Sequence, residues 1–318
     1  MNNEEIRARV QEHYDYLVSL GYEILFTALQ GSQNYGLDEY TDEYWSDIDT
    51  KSVVLPTLDD FVYNKTPVST VKIMPNSEEH AEVKDIRVMF EMFKKENISY
   101  IELLYSDYVV INPKYEDFVE ELFAHRDEIT TADTAQFLKC ISGMAMEKHK
   151  ALCHPYPTIA WKIEKYGFDG KQLHHIVRLY DFISRFRSLE PISACFKNNS
   201  KNRLMNYKKQ KDANGERMDA QEAEFLAQLY DDAIKNTKDK MLHESDYDIN
   251  VCVWEFLDEL QARIIKQHIL ETLIPSFDDF KYFSKEEQEA EAKVISANAI
   301  AHKENFYDYY EERNDINE

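Results

Sequence analysis

The fold is decided by an apolar segment, a glycine-serine pair and, one loop later, two aspartates. The sequence reads Leu25-Phe26-Thr27-Ala28-Leu29-Gln30-Gly31-Ser32 and then Ser46-Asp47-Ile48-Asp49. Alternate residues of a strand lie on one face, so Asp47 and Asp49 are expected to direct both carboxylates at one point and Ile48 the other way. Such a pair suits Mg²⁺ or Mn²⁺, and these ions suit phosphate oxygens. We therefore expect a metal-nucleotide site here.

Strand patterns surround this stretch, and helical patterns follow it. After a helix over 4–20, apolar spacing predicts strands over 22–29, 49–55, 68–74 and 82–84, with a turn at 31–37 that opens a short helix. From residue 85 onward the pattern is helical nearly throughout, and the long helices are predicted at 132–152, 171–188, 218–237, 248–273 and 284–312. This order predicts an α+β protein with a small mixed β-sheet head (1–128) and an all-α helical domain (129–318).

Composition narrows the class of protein. The 318 residues are 43% hydrophobic with only 7 Gly and 8 Pro, which favours a packed, helix-rich core over a turn-rich β-sandwich. The net charge of −23 excludes nucleic-acid binding through the overall field. Residues 197–217 reverse that charge, with seven basic and two acidic side chains. This segment could contact an RNA or DNA backbone, with Tyr207 stacking on a base, or could be a flexible solvated loop.

The cysteines and the N-terminal residues predict the cellular compartment of the protein. Four cysteines lie far apart without a C-x-x-C pair, so neither a zinc site nor a disulfide framework is expected. The first residues are acidic and lack an apolar leader, and no apolar run approaches the length of a membrane span. We expect a soluble, cytoplasmic protein with no membrane partner; the oligomeric state is left open.

The motif suits phosphate chemistry for a physical reason. Displacement at phosphorus needs positioned groups and charge neutralisation, which carboxylate-bound metal ions supply. Gly31 lets the backbone approach a triphosphate closely, and Ser32 can donate its hydroxyl to a phosphate oxygen.

The motif also resembles that of a known family. Residues 29–37 with 46–53 resemble the signature of the DNA polymerase beta nucleotidyltransferase superfamily, and most resemble predicted nucleotidyltransferases associated with bacterial and phage RNA repair. Two further stretches, 85–106 and 167–179, resemble later blocks of that family, so the similarity covers roughly residues 22–185. It implies transfer of a nucleoside monophosphate from an NTP, such as ATP, to a hydroxyl of an RNA end, a protein or a small molecule, with release of pyrophosphate.

The resemblance implies roles for individual residues. Gly31 and Ser32 would hold the triphosphate, and Asp47 and Asp49 would bind two Mg²⁺ or Mn²⁺ ions. A third carboxylate is expected on the strand before the helix at residue 86. Glu82 is favoured for this role; Asp85 is the alternative, although it also suits a helix N-cap.

The resemblance also favours a phosphate-binding role for one predicted helix. Lys171, His174 and Arg178 share a face of it and could contact the triphosphate; alternatively, they neutralise carboxylates of the acidic head. The long acidic loop after Ser32 keeps a second interpretation open, that of a catalytically inactive nucleotide-binding or protein-interaction module with the same fold.

Overall fold

A five-stranded sheet occupies the first part of the chain. The computed structural model describes residues 1–41, 45–75 and 77–273. Within these ranges the strands are β1 (Ile24–Gln30), β2 (Asp49–Val54), β3 (Ser69–Ile73), β4 (His80–Asp85) and β5 (Val109–Ile111). They lie in the order β3-β4-β2-β1-β5; β2 and β4 run parallel and the other neighbours antiparallel. The predicted mixed sheet is confirmed.

Helices make up most of the remaining described chain. They are α1 (Asn3–Ser19), α2 (Leu58–Val62), α3 (Ile86–Lys94), α4 (Ile98–Ile101), α5 (Glu116–Ala124), α6 (Arg126–Thr130), α7 (Thr134–Ala151), α8 (Ala160–Tyr166), α9 (Gly170–Arg187), α10 (Ile192–Phe196), α11 (Lys201–Lys208), α12 (Ala220–Glu244) and α13 (Val251–Leu273). Two 3₁₀ helices cover Glu102–Tyr105 and Pro113–Tyr115. The α+β class is therefore confirmed, whereas the helix predicted over 284–312 lies outside the described residues.

One expectation about the secondary structure was wrong. The region after residue 85 was predicted to be helical nearly throughout, yet Val109–Ile111 form β5 at the edge of the sheet beside β1. Three residues are too few to show a strand period, and this strand exists because it pairs with Phe26, Thr27 and Ala28. The turn at 31–37 is present, but it continues into no helix.

Helix α1 covers one face of the sheet. Its N-terminus is fixed by a capping box between Asn2 and Glu5, and Gly21, with φ of 87°, follows its C-terminus. Its apolar stripe, Ile6, Val10 and Leu17, packs in two clusters with sheet residues such as Leu29 and Val83. The hydrophobic spacing in the sequence therefore predicted both the helix and its buried side.

The opposite face of the sheet packs against the later helices. Phe26, Ala28 and Val53 belong to a single hydrophobic cluster that also contains Phe137 of α7 and Leu173 of α9. The core thus runs without a break past residue 128, and the proposed division there stays a prediction. Residues Met1–Ile265 form one compact unit; of the second, Lys266–Glu318, the structure describes only the end of α13. No helix in the described ranges is long and apolar enough to cross a membrane.

Candidate active site

The register of the sheet places the two aspartates beside the glycine-serine pair. Asp49, the first residue of β2, pairs with Gln30, the last residue of β1, and Gly31 follows directly. Ile48 is fully buried, whereas Asp47 is exposed and the Asp49 side chain is 46% exposed. The expected separation of the aspartates from Ile48 is thus present. Both carboxylates reach solvent at the end of the sheet where β1 turns.

The chain from Gly31 to Leu37 is a series of tight turns. Gly31 has φ of 125°, a conformation that favours glycine. Ser32 accepts the Leu37 backbone N–H through its carbonyl at 2.9 Å, while its side chain is partly exposed. The Gln33 side-chain amide donates to the Asp47 carbonyl at 2.9 Å and to the Tyr40 hydroxyl at 3.1 Å. Gln33 therefore ties the glycine-serine turn to the aspartate pair.

Glu79 holds the aspartate segment from the other side. Its carboxylate accepts the Ile48 N–H at 3.4 Å and contacts Arg9 and His13 of α1. Burial opposes ionisation of Glu79, but the His13 and Arg9 contacts outweigh it and lower the pKa of the carboxyl. His80, the next residue, donates its backbone N–H to Asp49 Oδ1 at 3.0 Å. Helix α1 and β4 thus fix the backbone between the two aspartates.

The electrostatics of Asp47 show a site with excess negative charge. Partial burial and the nearby Asp49 carboxylate raise the pKa of Asp47, and Lys171 opposes this effect. Lys208 also interacts with Asp47. A carboxylate that lies close to a second carboxylate gains stability from a nearby cation, so Asp47 favours binding of a metal ion or a lysine.

The residues present fit one Mg²⁺ ion. Mg²⁺ is commonly held by one or two carboxylates, with water and substrate phosphates completing its octahedron. Asp47 and Asp49 could supply the two protein oxygens, and a triphosphate beside Gly31 and Ser32 the others. Among the described residues no group of three His, Cys, Asp or Glu side chains could hold a metal ion by itself. A second ion would need a further carboxylate.

Glu82, the favoured third carboxylate, faces the same side of the sheet as Asp49. It pairs in register with Lys51 of β2. Its oxygens lie 3.5 Å from Lys51 Nζ and 3.0 Å from Lys84 Nζ, and the Tyr100 hydroxyl donates to it at 3.1 Å. Burial opposes ionisation, but the lysines and Tyr100 outweigh it and lower the pKa of Glu82. The structure brings Glu82 to the correct face and also gives it two cationic partners.

Asp85, the alternative, is placed differently. It is the N-cap of α3, and its carboxylate accepts the Arg87 backbone N–H at 2.9 Å. The Arg87 guanidinium makes two further hydrogen bonds to it, at 2.9 and 2.6 Å. Asp85 is three residues beyond Glu82 along β4, so alternation puts it on the opposite face of the sheet. The structure does not bring Asp85 to the Asp47–Asp49 pair.

The three predicted phosphate-binding residues of α9 have different surroundings. Lys171 is exposed in the first turn and interacts with Asp47. His174 is 4% exposed, hydrogen-bonds through Nδ1 to the Leu204 carbonyl at 3.0 Å, and burial lowers its pKa to about 3. A neutral, buried imidazole is a packing residue, so the expectation that His174 presents positive charge to a phosphate was wrong.

Arg178 contacts Glu102 and Tyr35 rather than extending into solvent. Its guanidinium lies 3.8 Å from the centre of the Tyr35 ring, and Nη1 is 3.6 Å from Glu102 Oε2. The Tyr35 hydroxyl also donates to Glu102. Arg178 therefore neutralises a buried carboxylate and packs on the residue that closes the glycine-serine turn, as the alternative interpretation of this helix face predicted.

The basic segment 197–217 contacts acidic residues from earlier in the chain. Its residues Leu204, Met205 and Tyr207 are buried, so α11 is a packed helix rather than a flexible loop. Tyr207 is 3% exposed, and the prediction that its ring is available for base stacking was wrong. Three of its lysines contact carboxylates: Lys197 with Asp107, Lys201 with Asp38 at 3.8 Å and Lys209 with Glu39 at 2.6 Å.

The roles of several site residues could not be read from the sequence, although Gln33 and Ser46 lie within the motif at 29–37 and 46–53. Gln33, Ser46 and Glu79 act through hydrogen bonds to backbone groups, which sequence spacing does not reveal. Lys208 and Glu39 come together across 169 positions of the chain. The reversal of charge in 197–217 was the one available sign, and it indicated a nucleic-acid contact or a solvated loop, not a contact with the acidic loop.

Comparisons with known proteins do not assign this site to a family. The sequence matches no protein-family model and no curated protein. The functional proposal therefore rests on the motif resemblance and on the arrangement of residues described above.

Proposed function

We propose that this protein is a metal-dependent nucleotidyltransferase that moves a nucleoside monophosphate from an NTP to a hydroxyl acceptor. The observation that carries the proposal is the register that sets Asp49 opposite Gln30, beside Gly31 and Ser32. Two solvent-facing carboxylates and a tight glycine turn at one sheet end suit a metal-bound triphosphate.

The reaction would be an in-line displacement. The acceptor hydroxyl oxygen bonds to the α-phosphorus, the bond to the β-phosphate bridging oxygen breaks, and pyrophosphate leaves as the hydroxyl loses its proton. Asp47 and Asp49 would hold the divalent ion, which supplies charge neutralisation at the phosphates when bound. The partly exposed Ser32 hydroxyl would donate to a phosphate oxygen, and Lys171 would add positive charge. Glu82 as a ligand of a second ion stays a prediction, since it would have to exchange its lysine partners for the metal.

A second candidate function has its own supporting observation. Glu82 is engaged by Lys51 and Lys84, and no three-residue metal group exists among the described residues. A protein that binds a nucleotide without transferring it, or that uses the same fold to bind another protein, would need no third carboxylate. Only the first candidate function includes transfer of a nucleoside monophosphate to an acceptor.

The deciding experiment uses α-labelled NTPs with total RNA and with the purified protein itself, in Mg²⁺ or Mn²⁺. We expect label to enter RNA or protein with the wild-type chain and not with Asp47→Asn/Asp49→Asn. Asp59→Asn, an exposed aspartate on α2, is the matched control and should retain activity. Equal labelling by the wild-type chain and the double variant would remove the enzyme proposal, and metal-dependent binding without transfer would favour the second candidate.

A further inference from the structure

Glu39 is fixed immediately beside Asp47. The Glu39 N–H donates to Ser46 Oγ at 3.0 Å, and the Ser46 N–H donates to the Glu39 carbonyl at 2.9 Å. The next pair outward, Tyr40 and Trp45, forms an antiparallel bridge with the rings 5.1 Å apart. These contacts hold the Glu39 backbone beside Ser46, the residue that precedes Asp47.

Lysines of the later helices converge on this place. Lys209 Nζ donates to Glu39 Oε1 at 2.6 Å, and Lys208 interacts with both Asp47 and Glu39. Lys162 of α8 lies 3.7 Å from Asp169, the N-cap of α9, and Lys171 follows in the first turn of α9. Burial lowers the pKa of Lys208, and the positive charges of Lys162 and Lys209 add to this effect. Lys209 therefore contacts Glu39 directly, and Lys171 and Lys208 interact electrostatically with Asp47.

The backbone packing that brings Lys208 there is tight. A Cβ added at Gly170 would lie 2.3 Å from the Tyr207 carbonyl oxygen and 2.9 Å from that of Lys208. The start of α9 and the end of α11 therefore touch backbone to backbone, which only glycine allows. This contact fixes Lys208 and Lys209 relative to Lys171.

We propose that Lys208 and Lys209 form a phosphate-chain subsite beside Asp47 and that Glu39 competes for it, so that a linear triphosphate binds by displacing the Glu39 carboxylate. The proposal deepens the proposed function, on which it rests for the identity of the phosphate chain. In the absence of a phosphate chain, the Glu39 carboxylate pairs with the lysines in place of the phosphate oxygens. The Ser46 contacts hold the Glu39 backbone in place. The Glu39 carboxylate therefore stays near the lysines and competes with phosphate for them.

The two ion pairs of the acidic loop provide a matched test. Asp38 pairs with Lys201 at 3.8 Å and Glu39 with Lys209 at 2.6 Å, and Lys201 is the more exposed lysine. Glu39→Gln removes the competitor, whereas Asp38→Asn removes a similar charge from the neighbouring residue. An ion pair at this exposure is typically worth up to about 1 kcal/mol, which corresponds to about fivefold in affinity.

The experiment titrates inorganic tripolyphosphate into the full chain in EDTA by calorimetry. We expect Glu39→Gln to bind about threefold to fivefold tighter than wild type, Asp38→Asn to stay within about twofold, and Lys209→Gln to bind more weakly. Glu39→Gln combined with Lys209→Gln should lose the gain of Glu39→Gln. Thermal melting of each variant checks that the fold is kept.

Three results would overturn the inference: no binding of tripolyphosphate to the wild-type chain, equal effects of Glu39→Gln and Asp38→Asn, or a gain that persists without Lys209. The probe contains no base, sugar or metal, so its outcome is independent of turnover. Tripolyphosphate binding with the expected Glu39 effect but no nucleotide transfer would sink the enzyme proposal alone. Nucleotide transfer with no Glu39 effect would sink this inference alone.

Discussion

Two sets of charged side chains lie on or near the sheet, and they differ in how their charges are balanced. The outer acidic pair, Asp47 and Asp49, lies at the open end with its carboxylates in solvent. The inner ion network lies deeper, and its members pair carboxylates with cations; they are Lys51, Glu82, Lys84, Glu102 and Arg178.

The difference between the two sets is instructive. Lys51 is 2% exposed, donates to the Ser99 carbonyl at 2.7 Å and lies 3.9 Å from the Tyr100 ring centre, so its charge is neutralised within the protein. In the outer acidic pair, by contrast, partial burial and the Asp49 carboxylate raise the pKa of Asp47, and Lys171 only opposes this effect. Buried charges must be satisfied internally, whereas a functional site keeps charge that a ligand can satisfy.

The largest expected effect is on the rate of nucleotide transfer, and it distinguishes the outer acidic pair from the inner ion network. Asp49→Asn should lower nucleotide transfer about a hundredfold or more, because it removes a charge that is proposed to bind the metal ion. Glu82→Gln should lower transfer less than about tenfold, because Glu82 is occupied by Lys51 and Lys84. Initial rates with labelled NTP at saturating metal give both numbers. The opposite ranking would move Glu82 from the inner ion network into the metal site.

The next effect concerns stability. Arg178→Met should lower the free energy of unfolding by about 3 kcal/mol, because Glu102, 6% exposed, loses its cation. Arg187→Met is the matched control on α9: its ion pair with Glu244 is exposed, and the loss should stay within about 0.5 kcal/mol. Urea unfolding measures both. Similar losses would show that the inner ion network is no more tightly coupled to folding than the surface.

A third comparison tests the contact that places the lysines beside the outer acidic pair. Gly170→Ala should destabilise the protein by about 2 kcal/mol, since the new methyl group would meet the Tyr207 and Lys208 carbonyls. Gly143→Ala on α7 adds the same methyl where nothing lies within 4 Å, and should stabilise by about 0.5 kcal/mol. Thermal melts of the two variants should therefore shift in opposite directions; shifts in the same direction would disprove the close contact.

The outer acidic pair and the inner ion network differ in how far the sequence alone predicts them. Strands β1 and β2, the outer acidic pair and the glycine-serine turn were predictable because each depends on local residue type and period. The partners of Glu82 were not, since a strand pattern does not reveal that Lys51 and Tyr100 share its face. The burial of His174 against Leu204 and the contact of Lys209 with Glu39 arise from packing between distant segments, which no local pattern encodes.

The smallest effect concerns a buried carboxylate that, among the described residues, has no cationic partner, in contrast to the inner ion network. Glu96 is fully buried, accepts the Asp133 N–H at 3.0 Å, and burial raises its pKa to about 8. Between its ordinary value of 4.5 and about 8 the unfolded chain releases this proton while the folded chain keeps it. Its contribution to stability therefore falls as the pH rises through that window and is constant above it.

Glu96→Gln removes this dependence. Relative to wild type, the variant should gain about 1 kcal/mol or more of stability on going from about pH 5 to about pH 8, as measured by urea unfolding at each pH. Glu91→Gln, on the exposed side of α3, should show a constant difference over the same range. A constant difference for Glu96→Gln as well would mean that Glu96 ionises normally in the folded protein.

The most direct test of the central claim, that the outer acidic pair holds a metal-bound nucleotide, is calorimetric titration with a non-hydrolysable ATP analogue in Mg²⁺ and in EDTA. We predict metal-dependent binding by the wild-type chain that is lost in Asp47→Ala/Asp49→Ala while the melting temperature of that variant is unchanged. Equal binding by the two proteins, or binding by wild type that ignores Mg²⁺, would contradict the account.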